Sequence, residues 1–335
     1  MDLYIFPECA SHHNGYGICV DYGYKKLLPK KEDIVIWYTK EKNIPYFKEN
    51  DIIIDRNIST FKRISNVIQG KPSTELSFSD LSFLKNYKFE NIHCDEILFF
   101  KALRKLFPNQ HINVRLHNCF SRILERKRLL NIPVDPKFHL ILHLCRNAEK
   151  YIFSDTNCTK IFITKEDQEY YTSMYGITSD SELWNFSPHK QTIVQWEHFN
   201  PKLVWFGGVD AHKKSSINWF ISNVFLPLKN KHQELTFHLY GRETNFFNNP
   251  QNGIYGHGFY KGKDLIPEKN VLYVNPDIIG GGIKLKLISL IENGIPFITS
   301  PFGFEGYSKS LIDNKQCFVV EEKNWIKKIE NILYN

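Results

Sequence analysis

Short runs of β-branched and aromatic residues alternate along this chain with stretches whose apolar positions recur every three to four residues. The first pattern predicts strands and the second amphipathic helices, and their alternation predicts α/β architecture with parallel sheets. In the first half, strands are expected at Leu3–Phe6, Asp33–Tyr38, Asp51–Ile54, Asn91–Cys94, Ile112–Leu116 and Lys160–Thr164, with helices at about 95–107, 118–131, 136–151 and 165–175. Periodicity fails over 176–201, where turn formers collect, and the segment 188–201 reads as a linker. The rhythm then restarts. Strands are expected at Lys202–Phe206, Leu235–Tyr240, Gly253–Tyr255, Asn270–Val274, Pro296–Ser300 and Gln316–Val320, with helices at about 215–230, 283–293 and 322–333. The pattern implies two Rossmann-like domains, 1–187 and 202–320, with their parallel sheets facing a central cleft, and a last helix in 321–335 reaching back toward the N-terminal domain.

The length of 335 residues suits two domains, and 42% hydrophobic with 24% charged residues is the balance of a soluble, folded chain. No apolar run approaches the ~20 residues that cross a bilayer, and the apolar start Leu3–Phe6 reads as a strand rather than a signal peptide. Seven scattered cysteines without a C-x-x-C motif suggest free thiols in a reducing cytoplasm. The net charge, 43 − 36 = +7, favours anionic partners. Lys101, Arg104, Lys105, Arg115, Arg122, Arg126, Lys127 and Arg128 crowd one stretch in which Glu125 is the only acid. That stretch reads either as a solvated helix face or as a peripheral contact with the inner membrane through 101–128. It carries no zinc-finger, RNP or helix-turn-helix pattern, so no nucleic-acid partner is expected.

The most informative segment follows the strand expected to end near Pro276. Gly280, Gly281 and Gly282 precede a helix, and Lys284 and Lys286 sit in its expected first turn. Glycines let a backbone approach a ligand closely, and the first amides of a helix attract anions. Cations there oppose the helix dipole, so their placement makes sense if a bound anion offsets the repulsion. On this reasoning Lys286→Ala is expected to weaken anion binding while sparing the fold. A second glycine loop, Gly303 to Gly306, follows the next strand.

Gly281-Gly282-Ile283-Lys284-Leu285-Lys286-Leu287-Ile288, Gly294-Ile295-Pro296-Phe297-Ile298-Thr299 and Gly303-Phe304-Glu305-Gly306 together resemble the donor-site signature of GT-B glycosyltransferases, above all the retaining family-four-like nucleotide-sugar enzymes. Upstream, Leu203–Gly208, Phe237–Arg242 and Tyr255-Gly256-His257-Gly258-Phe259 resemble that group's first two C-domain strands and its nucleobase loop. In the N-terminal half, Asn113-Val114-Arg115-Leu116-His117-Asn118 resembles a strand-end R-x-H-N element. The resemblance departs at one place: Ser289 stands where relatives carry a ribose-binding Glu, and Gly281 where they carry its partner. Glu292, one helical turn on, could substitute for the former.

The resemblance implies a metal-independent hexosyl- or related glycosyltransferase of bacterial surface polysaccharide or glycoconjugate synthesis, with no cofactor. A nucleotide-sugar would be its donor substrate and a saccharide or lipid-linked saccharide its acceptor. Gly281, Gly282, Lys284 and Lys286 would hold the diphosphate, with Arg242 as a secondary contact. Gly258 and Phe259 would lie near the base, Ser289 or Glu292 near the ribose, and Gly303, Glu305 and Gly306 near the sugar or distal phosphate. His117 is the candidate catalytic residue, in competition with a buried structural role. Gly15, in Asn14–Gly17, resembles a loop that approaches donor and acceptor, and His12, His13 and Asp21 beside it are candidate bases. His139 and His143 lie i, i+4 apart but lack the adjacent Glu of a zinc site, so no metal is expected there. Two other functions fit the same residues: a non-catalytic acceptor-binding subunit, motivated by Ser289, and a sugar-nucleotide epimerase.

Overall fold

The computed structural model describes every residue except 9–14, 42, 43, 45, 132–135, 177–180, 185–187, 189–200, 210, 261–265, 314 and 335. The chain divides into two compact units, Met1–Asn185 and Phe186–Asn335. Most of the expected linker 188–201 lies outside the described residues.

The first unit is built on β1 (Leu3–Phe6), β2 (Ile34–Thr39), β3 (Ile52–Asp55), β4 (Ile92–Asp95), β5 (Ile112–Leu116), β6 (Cys158–Phe162) and β7 (Ser181–Leu183). All pair in parallel, in the order β3-β2-β1-β4-β5-β6-β7. The second unit contains β8 (Lys202–Phe206), β9 (Thr236–Tyr240), β10 (Ile254–Gly256), β11 (Leu272–Asn275), β12 (Phe297–Thr299) and β13 (Cys317–Val319), again all parallel, in the order β10-β9-β8-β11-β12-β13. Twelve of these strands lie within about two residues of the expected positions; β7 falls in a stretch read as irregular.

Burial explains the sequence pattern. Central strands are covered on both faces, so β1 and β2 are buried at every position and read as continuous apolar runs. The edge strand β3 alternates between half-buried and exposed residues. Phe99, Phe100 and Leu103 from the helix Ile97–Leu106 fill the first core. The second core gathers Trp205, Phe220, Phe225 and Phe237. The last helix, Trp325–Leu333, buries Trp325 and Ile329 in the core of the second unit. The helix after β8 starts as α at Ala211–Phe220, passes through a π-helical turn at Ile221–Phe225 and resumes as α at Leu226–Lys231. The six cysteines among the described residues are free and buried.

The structure also turns much of the basic stretch 101–128 inward. Arg104 pairs with Asp155 at 2.6 Å and donates to the carbonyls of Phe107, Pro108, Gln110 and Asn157. Arg115 pairs with the buried Asp95, and Arg122 with Asp167 at 3.0 Å. These acids lie outside the stretch, so counting charges along it overstates its positive surface.

Both sheets have the doubly wound strand order, which reverses between β1 and β4 and again between β8 and β11. In the second unit the loops at this reversal interlock backbone to backbone. The Gly207 amide donates to the Tyr240 carbonyl at 2.9 Å, and the Gly241 amide to Gly258 at 2.7 Å. A Cβ on Gly241, at φ +132°, would lie 1.9 Å from the Gly207 carbonyl oxygen, whereas one on Gly208 would meet nothing within 4 Å. Gly241→Ala should therefore lower unfolding stability by roughly 2–4 kcal/mol. Gly208→Ala should leave it nearly unchanged; urea denaturation of the two variants checks the contrast.

Candidate functional site

In a doubly wound sheet, ligands bind beyond the strand ends where the order reverses. In the second unit that point lies between β8 and β11. From Asn275 the chain runs through Pro276–Leu285 without regular structure and enters the helix Lys286–Glu292. The helix begins three residues later than expected because Gly280 (φ +142°) and Gly282 (φ +56°) hold a non-helical path and Ile283 and Leu285 are buried along it. Three hydroxyl groups brace this loop. Ser216 accepts from the Ile278 amide at 3.3 Å, and Tyr307 donates to the Lys284 carbonyl at 2.8 Å. The Ser300 hydroxyl also donates to the Asp277 carbonyl.

The loop delivers charge to one spot. The Lys286 ammonium lies 3.3 Å from Asp277 Oδ2, with its side chain 14% exposed and that of Asp277 1%. Neither group completes a well-aligned hydrogen bond, and the ammonium also lies 4.8 Å from the centre of the Trp205 ring. Burial pushes the Lys286 pKa down to about 8; Asp277 opposes the shift, and the nearby positive charges of Lys213 and Lys284 add to it. The Lys284 ammonium donates to the carbonyls of Gly282 at 3.0 Å and Gly281 at 3.4 Å and lies 4.5 Å from the Phe302 ring centre. Three lysines thus gather around the buried Asp277, an arrangement suited to an anion.

Gly303 is held in by contact: a Cβ there would fall 2.4 Å from Asn275 Nδ2 and from Thr299 Oγ1. Its amide donates to Ser300 Oγ at 2.8 Å. Glu305 and Gly306 complete that loop, Gly306 with φ +86°. Ser289 and Glu292 are half-buried at i, i+3 on the helix Lys286–Glu292. Gly258 is buried, its amide on Thr244 Oγ1 at 2.9 Å, while Phe259 beside it is exposed. Arg242 is exposed and only 4.0 Å from Glu243.

In the first unit, β4 and β5 end in a buried polar group. Arg115 donates through Nε to Asp95 Oδ1 at 2.9 Å and through Nη2 to Oδ2, while its guanidinium lies 4.2 Å from the Trp184 ring centre. His117 Nε2 is 3.0 Å from Asp95 Oδ2, and the ring is 2% exposed. Burial works to raise the Asp95 pKa, but Arg115 and His117 outweigh it and hold the carboxyl below its ordinary value. Burial lowers the His117 pKa against the pull of Asp95, so the ring is neutral near pH 7. A neutral ring that donates from Nε2 to the carboxylate keeps Nδ1 as its acceptor. Glu96 accepts from the His117 amide at 3.2 Å and adopts φ 72°, ψ 166°, a backbone region that costs a non-glycine residue about 1–3 kcal/mol.

Gly15 opens the helix Gly15–Leu27, where a loop was expected; His12 and His13 lie outside the described residues. Asp21 accepts from Lys25 at 2.8 Å and from the Tyr46 hydroxyl at 2.6 Å. His139 and His143 face different neighbours, Arg128 and Asn147. Among the described residues no group of three or more His, Cys, Asp or Glu is placed to hold a metal ion. The sequence reading missed Asp277 and Lys213. Asp277 follows a proline and reads as a turn residue, and only the pairing of β8 with β11 brings Lys213 close.

Two doubly wound parallel domains in succession define a GT-B fold. Solved structures share it. WaaG, a glycosyltransferase involved in lipopolysaccharide biosynthesis, aligns with 100% of this chain and 91% of its own at TM-score 0.64 and 11% identity. A glycosyltransferase from Rickettsia africae ESF-5 aligns over 99% and 87% at TM-score 0.59 and 14% identity. A UDP-forming α,α-trehalose-phosphate synthase from Burkholderia xenovorans aligns over 99% and 90% at TM-score 0.59 and 10% identity. At these identities the likeness is one of fold. No protein-family model and no curated protein matches the sequence.

The ion pair revises the expectation that Lys286→Ala would spare the fold, because truncating Lys286 leaves Asp277 buried without its nearest cation. Lys286→Met should cost about 2–3 kcal/mol of stability, and Lys286→Met/Asp277→Leu should recover most of it. A double-mutant cycle by urea denaturation reads both values.

Proposed function

We propose that this chain is a glycosyltransferase that moves a sugar from a nucleoside-diphosphate sugar to an acceptor hydroxyl. The observation that carries the proposal is the convergence of Lys213, Lys284 and Lys286 around the buried Asp277, where the strand order reverses. Like charges brought together raise the free energy of the unliganded protein, and a diphosphate would relieve that cost. The fold likeness to a UDP-forming trehalose-phosphate synthase supports a nucleoside diphosphate as the leaving group.

In this reading the bond from the anomeric carbon to the distal phosphate oxygen breaks as the acceptor oxygen bonds to that carbon. Negative charge grows on the departing diphosphate, and Lys284 and Lys286, already fixed by the loop, stabilise it without reorganising. Gly281 and Gly282 let the phosphates approach, Arg242 is a secondary contact, and Phe259 with Gly258 flanks the base. Ser289 and Glu292 serve the ribose, and the Gly303 to Gly306 loop serves the sugar. The acceptor's proton needs a base, and His117, neutral and oriented by Asp95, is the candidate. The proposed acceptor is a saccharide or lipid-linked saccharide of bacterial surface polysaccharide synthesis, supported by the fold likeness to WaaG. Ser289, in place of an acid, favours a second reading as a non-catalytic acceptor-binding subunit, which the absence of binding by any common donor would favour.

Calorimetry with UDP-, GDP- and CMP-sugars tests the proposal: one of them should bind, and no heat with any would remove it. Lys286→Ala should weaken that binding by about 1.5–3 kcal/mol, equivalent to some ten- to hundredfold. The pH dependence has a defined sign. Lys286 carries its proton below a pKa of about 8 and loses it above, so donor affinity should fall as pH rises through that value. Lys286→Arg should flatten the fall, since a guanidinium stays charged throughout.

A further inference from the structure

The two loops that the proposed reaction sets around the donor leave neighbouring strands. The loop 276–285 follows β11 and the turn 301–306 follows β12, and the two strands pair in parallel with Asn275 opposite Thr299. Ser300, one residue past β12, is 4% exposed and joins these segments through every polar group it has. Its amide donates to the Asn275 carbonyl at 3.2 Å, and its carbonyl accepts from the Phe304 amide at 3.1 Å. Its hydroxyl accepts from the Gly303 amide at 2.8 Å and donates to the Asp277 carbonyl. A carbonyl can only accept and an amide only donate, so the one hydroxyl proton is committed to Asp277 and a lone pair to Gly303. The joint has little slack, since a Cβ on Gly303 would fall 3.1 Å from Ser300 Oγ.

A second hydroxyl ties the far ends of the two segments. Tyr307 is buried, stacks on Phe304 with ring centres 5.4 Å apart, and donates to the Lys284 carbonyl at 2.8 Å. The segment 300–307 therefore grips the loop 276–285 at its start and again near its end. Both grips adjoin charge. Asp277 carries the carboxylate 3.3 Å from the Lys286 ammonium, and Lys284 lies two positions before Lys286 in the chain. Thr299 gives the contrast. Its hydroxyl accepts from Asn275 Nδ2 at 2.9 Å and reaches the carbonyls of Asn275 and Ser300 at 3.2 and 3.3 Å, so it joins the strand ends but bonds to neither loop.

We propose that Ser300 and Tyr307 are positioning residues that couple the two loops, so that a sugar seated at the turn 301–306 strengthens the hold of Lys284 and Lys286 on the diphosphate attached to it. The inference rests on the glycosyltransferase reading and adds a link between the two ends of the donor. A sugar that settles the turn fixes the Gly303 amide, and a single hydroxyl passes that constraint to the Asp277 peptide, whose side chain faces Lys286. At the other end, Tyr307 passes it to the peptide of Lys284. Such coupling is reciprocal, so a bound diphosphate also favours the sugar-holding form of the turn. Transfer takes the sugar away, and the grip on the departing nucleoside diphosphate then weakens.

Calorimetry on the full chain with two pairs of probes, UDP-glucose against UDP and GDP-mannose against GDP, tests the proposal through the affinity ratio within a pair. Ser300→Ala should lower the affinity for the sugar-bearing nucleotide relative to the bare one about tenfold, and Tyr307→Phe about fivefold, with binding of the bare nucleotide altered less than about threefold. Thr299→Val should leave the ratio unchanged. A hydroxyl that only supported the fold would, when removed, weaken both members of a pair by one factor. Tyr307→Phe keeps the ring and its stacking on Phe304, so it carries the test if Ser300→Ala does not fold. A ratio unchanged in either folded variant, a common factor for both members of the pair, or an equal fall in Thr299→Val would overturn the proposal. If neither pair binds to the wild type, the diphosphate reading of the site falls and this inference with it, whereas binding with an unaltered ratio overturns this inference alone.

Discussion

Lysines gathered around the buried Asp277 form the constraint that organises the C-terminal unit. Such a cluster costs free energy in isolation, since burial and mutual repulsion both disfavour the charged state of Lys286. The fold nevertheless keeps it in place by several independent means. The pairing of β8 with β11 sets the two loops side by side, Ser216 and Tyr307 fix the path between them, and the glycines at 280 and 282 permit the turns.

The N-terminal unit answers with the opposite strategy. Asp95, Arg115 and His117 satisfy one another at the ends of β4 and β5, and a strained Glu96 is retained beside them. Here the charges are already balanced, and the group fixes orientation: the carboxylate holds the imidazole ring, and the guanidinium holds the carboxylate. One unit therefore gathers lysines around a buried carboxylate, while the other holds a buried imidazole in a set orientation.

Strands were legible in the sequence wherever both faces are covered, because a continuous apolar run has one simple interpretation; β1, β2 and β8 are examples. The short β7, whose residues are only partly buried, gave no such signal. The helix Thr60–Ile68 was missed because it faces its apolar residues outward and buries an asparagine, which inverts the expected pattern. Arg104, Arg115 and Arg122 looked like a surface patch because their partners Asp155, Asp95 and Asp167 lie 51, 20 and 45 positions away. The lysines of the loop were evident from their spacing with the glycines. Asp277 was not, since nothing local distinguishes a buried acid after proline from an exposed turn.

The π-helical turn at Ile221–Phe225 has a bearing on how the second unit can diverge. A π turn accommodates one extra residue, and each residue of a regular helix advances it by about 100°. Upstream of the turn, Ser216 points to the Ile278 amide; downstream, Leu228 points into the core. A chain one residue shorter there would regain regular hydrogen bonding but could satisfy only one of those two orientations. The irregular turn is thus what lets a single helix brace the glycine loop at one end and fill the hydrophobic interior at the other, and descendants of this sequence can lose it only by surrendering one of the two roles.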